Sequence, residues 1–123
     1  DLKKILMPPV EAGLDFLHSS MRRFWESEFE GSDENLAYWT KKISNIPTIG
    51  VGSVGLDSDF IDMTAPATPT SIDKALDDIK KQKYDLIAVG RALLSDYEWV
   101  VKMKEGRLND VIPYTKDALL NLY

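Results

Sequence analysis

At 123 residues, with 44% apolar and 28% charged residues, the chain has the size and composition of one globular domain. A net charge of −5, no cysteine and one histidine exclude a disulfide framework, a zinc-finger or iron–sulfur centre and a cysteine nucleophile, and leave nucleic acid no basic surface to bind. No apolar stretch approaches the ~20 residues that cross a bilayer, and no charged-then-apolar leader is seen, so a cytoplasmic protein with no membrane partner is expected.

In chain order, Leu2, Ile5 and Leu6 have helical spacing, but Pro8 and Pro9 should break or kink that helix. A further turn over Val10-Glu11-Ala12 should end at Gly13, before a weak strand at Leu14 to Ser19. Ser32 to Ile43 reads as a helix with Leu36, Trp39 and Ile43 on one face. Asp33 and Glu34 fall in its first turn and Lys41 and Lys42 in its last. Pro47 to Gly52 is a short continuous apolar run, the pattern of a strand buried on both faces of a parallel sheet. Leu56 to Thr70, with Pro66 and Pro69, reads as irregular and long enough to be functional or mobile, with room for a helical turn at Asp59 to Met63. Ser71 should cap a helix whose apolar stripe is Ile72, Ala75, Leu76 and Ile79. A second continuous apolar run, Tyr84 to Gly90, predicts another buried strand. Ser95 and Glu98 have capping-box spacing for a helix carrying Tyr97, Trp99, Val100 and Met103 and stopping at Gly106. A last helix is expected from Thr115 to Leu122. Alternation of this kind predicts βαβ units and a parallel sheet.

Two strand ends carry the chemistry. Gly50-Val51-Gly52-Ser53-Val54-Gly55 has the spacing G-x-G-x-x-G, but no helix opens inside it, as a dinucleotide-binding fingerprint requires. Glycines there also let a ligand approach bare backbone, and Ser53 adds a hydroxyl. The plain alternative is close packing where the strand turns. The next strand ends Gly90-Arg91, which offers open backbone and a guanidinium fork matched to phosphate. Its plain alternative is a surface arginine paired with Asp85 or Asp96. Consecutive strands ending Gly-Ser and Gly-Arg suit the phosphate site between strands seven and eight of a (β/α)8 barrel.

At these residues the chain resembles the C-terminal part of the old yellow enzyme family, the FMN-dependent NAD(P)H:flavin oxidoreductases and ene-reductases. Glu11 to His18 looks like the family's helix five into strand six, and Arg22-Arg23-Phe24-Trp25 through Phe29 to Ser32 like the loop after strand six. Pro47 to Leu56 looks like strand seven, Tyr84 to Asp96 like strand eight, and Lys104 to Arg107 through Pro113 to Leu119 like the last helices. The resemblance implies an α/β fold, a partial TIM (β/α)8 barrel of about three βα units, with residues 1–123 a segment of an incomplete domain. It implies that Gly52, Ser53, Gly90 and Arg91 hold the FMN phosphate, and that Val51 and Val89 line the ribityl and phosphate region. It makes Phe24 and Trp25 substrate-pocket candidates, with core packing as the equal alternative.

In the intact enzyme, NADH or NADPH would be the reductant and an activated alkene the substrate. The family's flavin-ring contacts, carbonyl-holding pair and proton-donating tyrosine belong to a region this chain lacks. His18 does not match the pair, and Tyr38, Tyr84, Tyr97, Tyr114 and Tyr123 match no catalytic position. The chain alone is therefore expected to be inactive and to self-associate through open sheet edges. Three other readings remain. One is a non-catalytic self-associating module. Another is a different phosphate-binding barrel, which would need a strand lysine that none of these strands carries. The last and weakest is the dinucleotide fold.

Overall fold

A computed structural model describes residues 1–62 and 64–121. Strands β1 (Leu17–Ser20), β2 (Thr48–Val51) and β3 (Leu86–Ile87) form a parallel sheet in the order β1-β2-β3. Leu17 lies beside Thr48 and Ser20 beside Val51, while Ile49 and Gly50 pair with Leu86 and Ile87. Period-2 alternation then sorts the residues between two faces. Ser19, Thr48 and Gly50 are buried on the helix side, where the Ser19 hydroxyl donates to Thr40 Oγ1 at 2.9 Å. His18, Ser20 and Leu86 are exposed on the other side, which no described element covers. The strands are shorter than their apolar runs. After Ile87 the chain makes one more ladder bond, Ala88 N–H to the Gly50 carbonyl, and then turns away at Gly90.

Five α-helices complete a mixed α/β architecture among the described residues: α1 (Leu2–Glu11), α2 (Leu36–Ser44), α3 (Asp73–Lys80), α4 (Arg91–Ser95) and α5 (Trp99–Lys104). Helix α1 runs unbroken through Pro8 and Pro9, against expectation. Each proline removes one donor, to Lys4 and Ile5, and both of those residues are exposed, so water can serve their carbonyls. Gly13 follows at φ 96, a left-handed stop. Helix α2 begins four residues later than expected, at Leu36 rather than Ser32. Asn35 is its N-cap, with Oδ1 accepting from Tyr38 N–H, and Asp33 and Glu34 precede it.

Ser71 lies one residue outside the cap of α3, where its hydroxyl accepts from Asp73 N–H. Leu76 turns outward on α3, and Asp78 takes a buried position instead. The predicted capping box fails as well. Ser95 is the last residue of α4, and Asp96 Oδ1 accepts from Glu98 N–H ahead of α5. Of the four apolar residues assigned to α5, Trp99 is buried and Met103 packs on the core, whereas Tyr97 and Val100 are exposed. Residues 116–119 form a 3-10 turn, and Leu122 and Tyr123 lie outside the described residues. Asp59 to Asp62 bend without forming a helix, and Met63, the end of that expected turn, is also outside.

The core joins Phe24, Val54, Leu56, Tyr84, Trp99 and Tyr114 on the helix side of the sheet. Two buried carboxylates are tied into it. Asp78 accepts from the Tyr84 hydroxyl at 3.1 Å and pairs with Lys74, and burial beside that carboxylate pushes the Tyr84 phenol above its usual range. Asp96 takes Lys102 Nζ at 2.8 Å and the N–H of Ile112 at 2.9 Å. Burial pushes the Asp96 carboxyl up, but Lys102 and the N–H groups of Ile112 and Glu98 outweigh it, and the carboxyl lies below its ordinary 3.8. A lowered folded value stabilises the fold above the ordinary value, and that gain is lost as pH falls through the lower one. Asp96→Ala should lower unfolding free energy by about 1–3 kcal/mol through its stranded donors. Denaturant titration at pH 7 and at pH 3 should show this gap narrowing in acid.

Candidate functional site

In parallel α/β sheets, ligands bind beyond the carboxyl ends of the strands. Here those ends border a cleft of about 170 Å³, lined by Ser20 at the end of β1, Val51 at the end of β2, Gly52 and Ser53 after it, Gly90 and Arg91 after β3, and Phe60 from the long loop. All four residues expected to hold a phosphate therefore meet in one place. Ser53 stands at φ 54, in the left-handed region. Its hydroxyl donates to the Arg22 carbonyl at 2.9 Å and accepts from Arg91 Nη2 at 3.3 Å. Arg91 Nη2 also donates to the Ser58 carbonyl, and the guanidinium carbon lies 5.2 Å from the centre of the Tyr114 ring. Nη1 is buried and has no partner among the described residues. The surface-pairing alternative for Arg91 does not hold. Asp85 pairs with Lys41 and accepts from Thr48 N–H, and Asp96 pairs with Lys102.

The two glycines do different work. A Cβ on Gly52 would sit 2.8 Å from the Met21 carbonyl oxygen and 3.0 Å from the Phe24 nitrogen, so close packing alone requires glycine there. A Cβ on Gly90 would meet nothing within 4 Å, so packing does not require glycine at that strand end. Gly52→Ala should therefore cost about 1–3 kcal/mol of stability. Gly90→Ala should melt like the parent while weakening any anion held against its backbone. Thermal melts of the two variants, with phosphate titrations, check both statements.

The chain matches no protein-family model. It is 36% identical, over 117 residues, to a protein of Thermoanaerobacter brockii named NADH oxidase; the match takes in 89% of this chain and 16% of that protein. The chain is a distant homologue of part of an NADH oxidase. It thus spans about a sixth of the length of that curated relative.

The cleft is small. Pockets for whole drug-sized ligands run to about 300–1,000 Å³, and 170 Å³ is room for one end of a ligand. Phe24 is buried in the core, edge-on to Trp25 at 5.4 Å, and does not line the cleft. Trp25 lines a separate polar cleft with Lys74, Asp77, Asp78, Lys81 and Lys83. Val89 packs on the core, whereas Val51 lines the cleft. His18 is exposed on the uncovered sheet face. The G-x-G-x-x-G run ends in a turn and an isolated bridge at Leu56, and the next helix starts only at Asp73, so the dinucleotide fingerprint lacks its helix.

Sequence reading missed Ser20, Phe60, the Ser58 carbonyl and Tyr114 at this site. It also missed a latch across the loops. Asp59 Oδ2 takes Arg22 Nε at 3.2 Å and Arg23 Nη2 at 2.8 Å. Only the pairing of arginines near the first strand end with acids in the Pro-containing loop hinted at it. Among the described residues, no cluster of histidine and carboxylate groups could hold a metal, and no helix is long and apolar enough to cross a membrane.

Proposed function

We propose that the chain forms the phosphate-holding end of an FMN site in an NAD(P)H-dependent flavin oxidoreductase of the old yellow enzyme type. In this reading its strands are the sixth to eighth of a (β/α)8 barrel. The observation that carries the proposal is the meeting of Ser53 and Arg91, 38 residues apart, at the ends of neighbouring strands, with a guanidinium nitrogen left unpartnered. The homology to an NADH oxidase supports the redox chemistry.

The residues present fit a phosphate monoester. Arg91 supplies a fixed positive charge and spare donors. Ser53 and Ser58 hold its Nη2 in place, and Gly90 leaves room beside the backbone. Bound FMN would supply the hydride relay from NADH or NADPH to an activated alkene. This chain's own residues bind and orient the phosphate, and Trp25, backed edge-on by the buried Phe24, is proposed to wall the substrate region only in the whole enzyme. The test is a titration of the chain with FMN and with riboflavin, followed by flavin fluorescence. Tighter binding of FMN is expected, and equal affinities would overturn the phosphate role.

A second reading, self-association, is favoured by the sheet. The outer edges of β1 and β3 have no strand neighbour among the described residues, and Phe16 and Leu86 are 54% and 60% exposed. Sedimentation across a concentration series should show reversible oligomers, whereas a monomer throughout would remove this reading.

A further inference from the structure

We propose that Tyr114 is the platform that orients the Arg91 guanidinium, which makes the C-terminal segment part of the anion site. The proposal rests on the phosphate-site reading above and adds a positioning residue to it. An arginine side chain is long and rotamer-rich, and ordering it at the moment of binding weakens affinity. Here the ordering is already done. Ser53 Oγ and the Ser58 carbonyl both take Nη2, which fixes one corner of the guanidinium. Two contacts at one nitrogen leave the plane free to swing about that corner. The Tyr114 ring, 5.2 Å below the guanidinium carbon and within cation–π range, restrains that swing.

The ring is itself immobilised. Tyr114 is fully buried, and its backbone exchanges two hydrogen bonds with Ala67, at 3.0 Å and 2.9 Å. Ala67 belongs to the loop that carries Ser58. That loop is closed at its base by Thr70 N–H to the Gly55 carbonyl at 2.9 Å and Thr68 N–H to Asp57 Oδ1 at 2.8 Å. One frame therefore holds two of the three restraints on Arg91, the Ser58 carbonyl and the Tyr114 ring. A purely structural tyrosine would fill the core but would have no bearing on how the site discriminates a phosphate.

The readout is the preference for FMN over riboflavin, since a general loosening of the site weakens both ligands and a misaimed Arg91 weakens only FMN. Tyr114→Phe keeps the ring and should keep the preference. Tyr114→Leu should lower it by about 3- to 30-fold, the range expected of a cation–π contact. If Tyr114→Leu does not fold, phenylalanine analogues carrying increasing numbers of ring fluorines at position 114 preserve shape while draining the negative ring face. The preference should then fall stepwise at an unchanged melting temperature. A preference that survives both Tyr114→Leu and full fluorination would overturn the positioning role alone. Absence of any preference in the parent chain would overturn the phosphate reading and the positioning role with it.

Discussion

Replacing Arg91 with alanine should weaken FMN binding by about 10- to 100-fold and leave riboflavin binding unchanged. Hydrogen bonds to a charged group contribute about 1.5–3 kcal/mol each, and every 1.4 kcal/mol is about a factor of ten. Among the described residues Arg91 is the only cationic side chain lining the cleft, so no neighbour described there replaces its charge. Arg91→Lys separates charge from geometry. An ammonium keeps the positive charge but loses the planar fork and the broad face that lies against Tyr114. Its affinity should fall between the parent and alanine. Fluorescence titration at two salt concentrations checks both variants, because exposed electrostatic attraction weakens with salt. Equal FMN affinity in parent and alanine variant would remove Arg91 from the site.

Gly55→Ala should be the most damaging single-methyl substitution near the cleft. Gly55 sits at φ 76, where a side chain is strained, and its Cβ would lie 2.8 Å from the buried Trp99 ring. The backbone strain is about 1 kcal/mol, and forcing a methyl into a packed core adds about 1–3 kcal/mol. The sum is a large fraction of a typical domain's stability of about 5–15 kcal/mol. Gly106→Ala is the internal control. It has a similar φ of 71, but its Cβ would meet nothing within 4 Å. It should cost only the strain. If the two variants melt together, the Trp99 contact is not what holds Gly55.

Apolar runs bounded by glycine or proline made the second and third strands legible, because such runs end where backbone must turn, but the expected burial on both faces does not occur: Leu86 is exposed on the side away from the helices. The meeting of Ser53 with Arg91 was legible because strand ends in a parallel sheet lie on one side. Less readable were features decided by tertiary partners. Asn35 caps α2 because its side chain reaches Tyr38 N–H, and Asp96 turns the chain ahead of α5 by accepting from Glu98 N–H, while Glu34 and Lys83 pair at 2.7 Å and Ser95 ends a different helix. Asp78 is buried because Lys74 and Tyr84 meet it, which no hydropathy pattern encodes. Pro8 and Pro9 are tolerated because Lys4 and Ile5, whose carbonyls lose their donors, are exposed. Tyr114 follows Pro113 in a stretch with no periodicity. Its place under Arg91 comes from the bridge to Ala67, 47 residues earlier.

That bridge also sets the order in which the molecule can mature. Joining Ala67 to Tyr114 rests on one isolated bridge between two irregular stretches, whereas each sheet pairing is a ladder that holds once formed, so the bridge gains little until the sheet and core are in place. The sheet register can be established by residues 17–87 alone. The cleft has to wait for the segment around Tyr114 to lie back on the proline-containing loop. Refolding should therefore recover secondary structure before it recovers a phosphate-competent cleft, with the interval measuring how slowly Tyr114 finds Ala67.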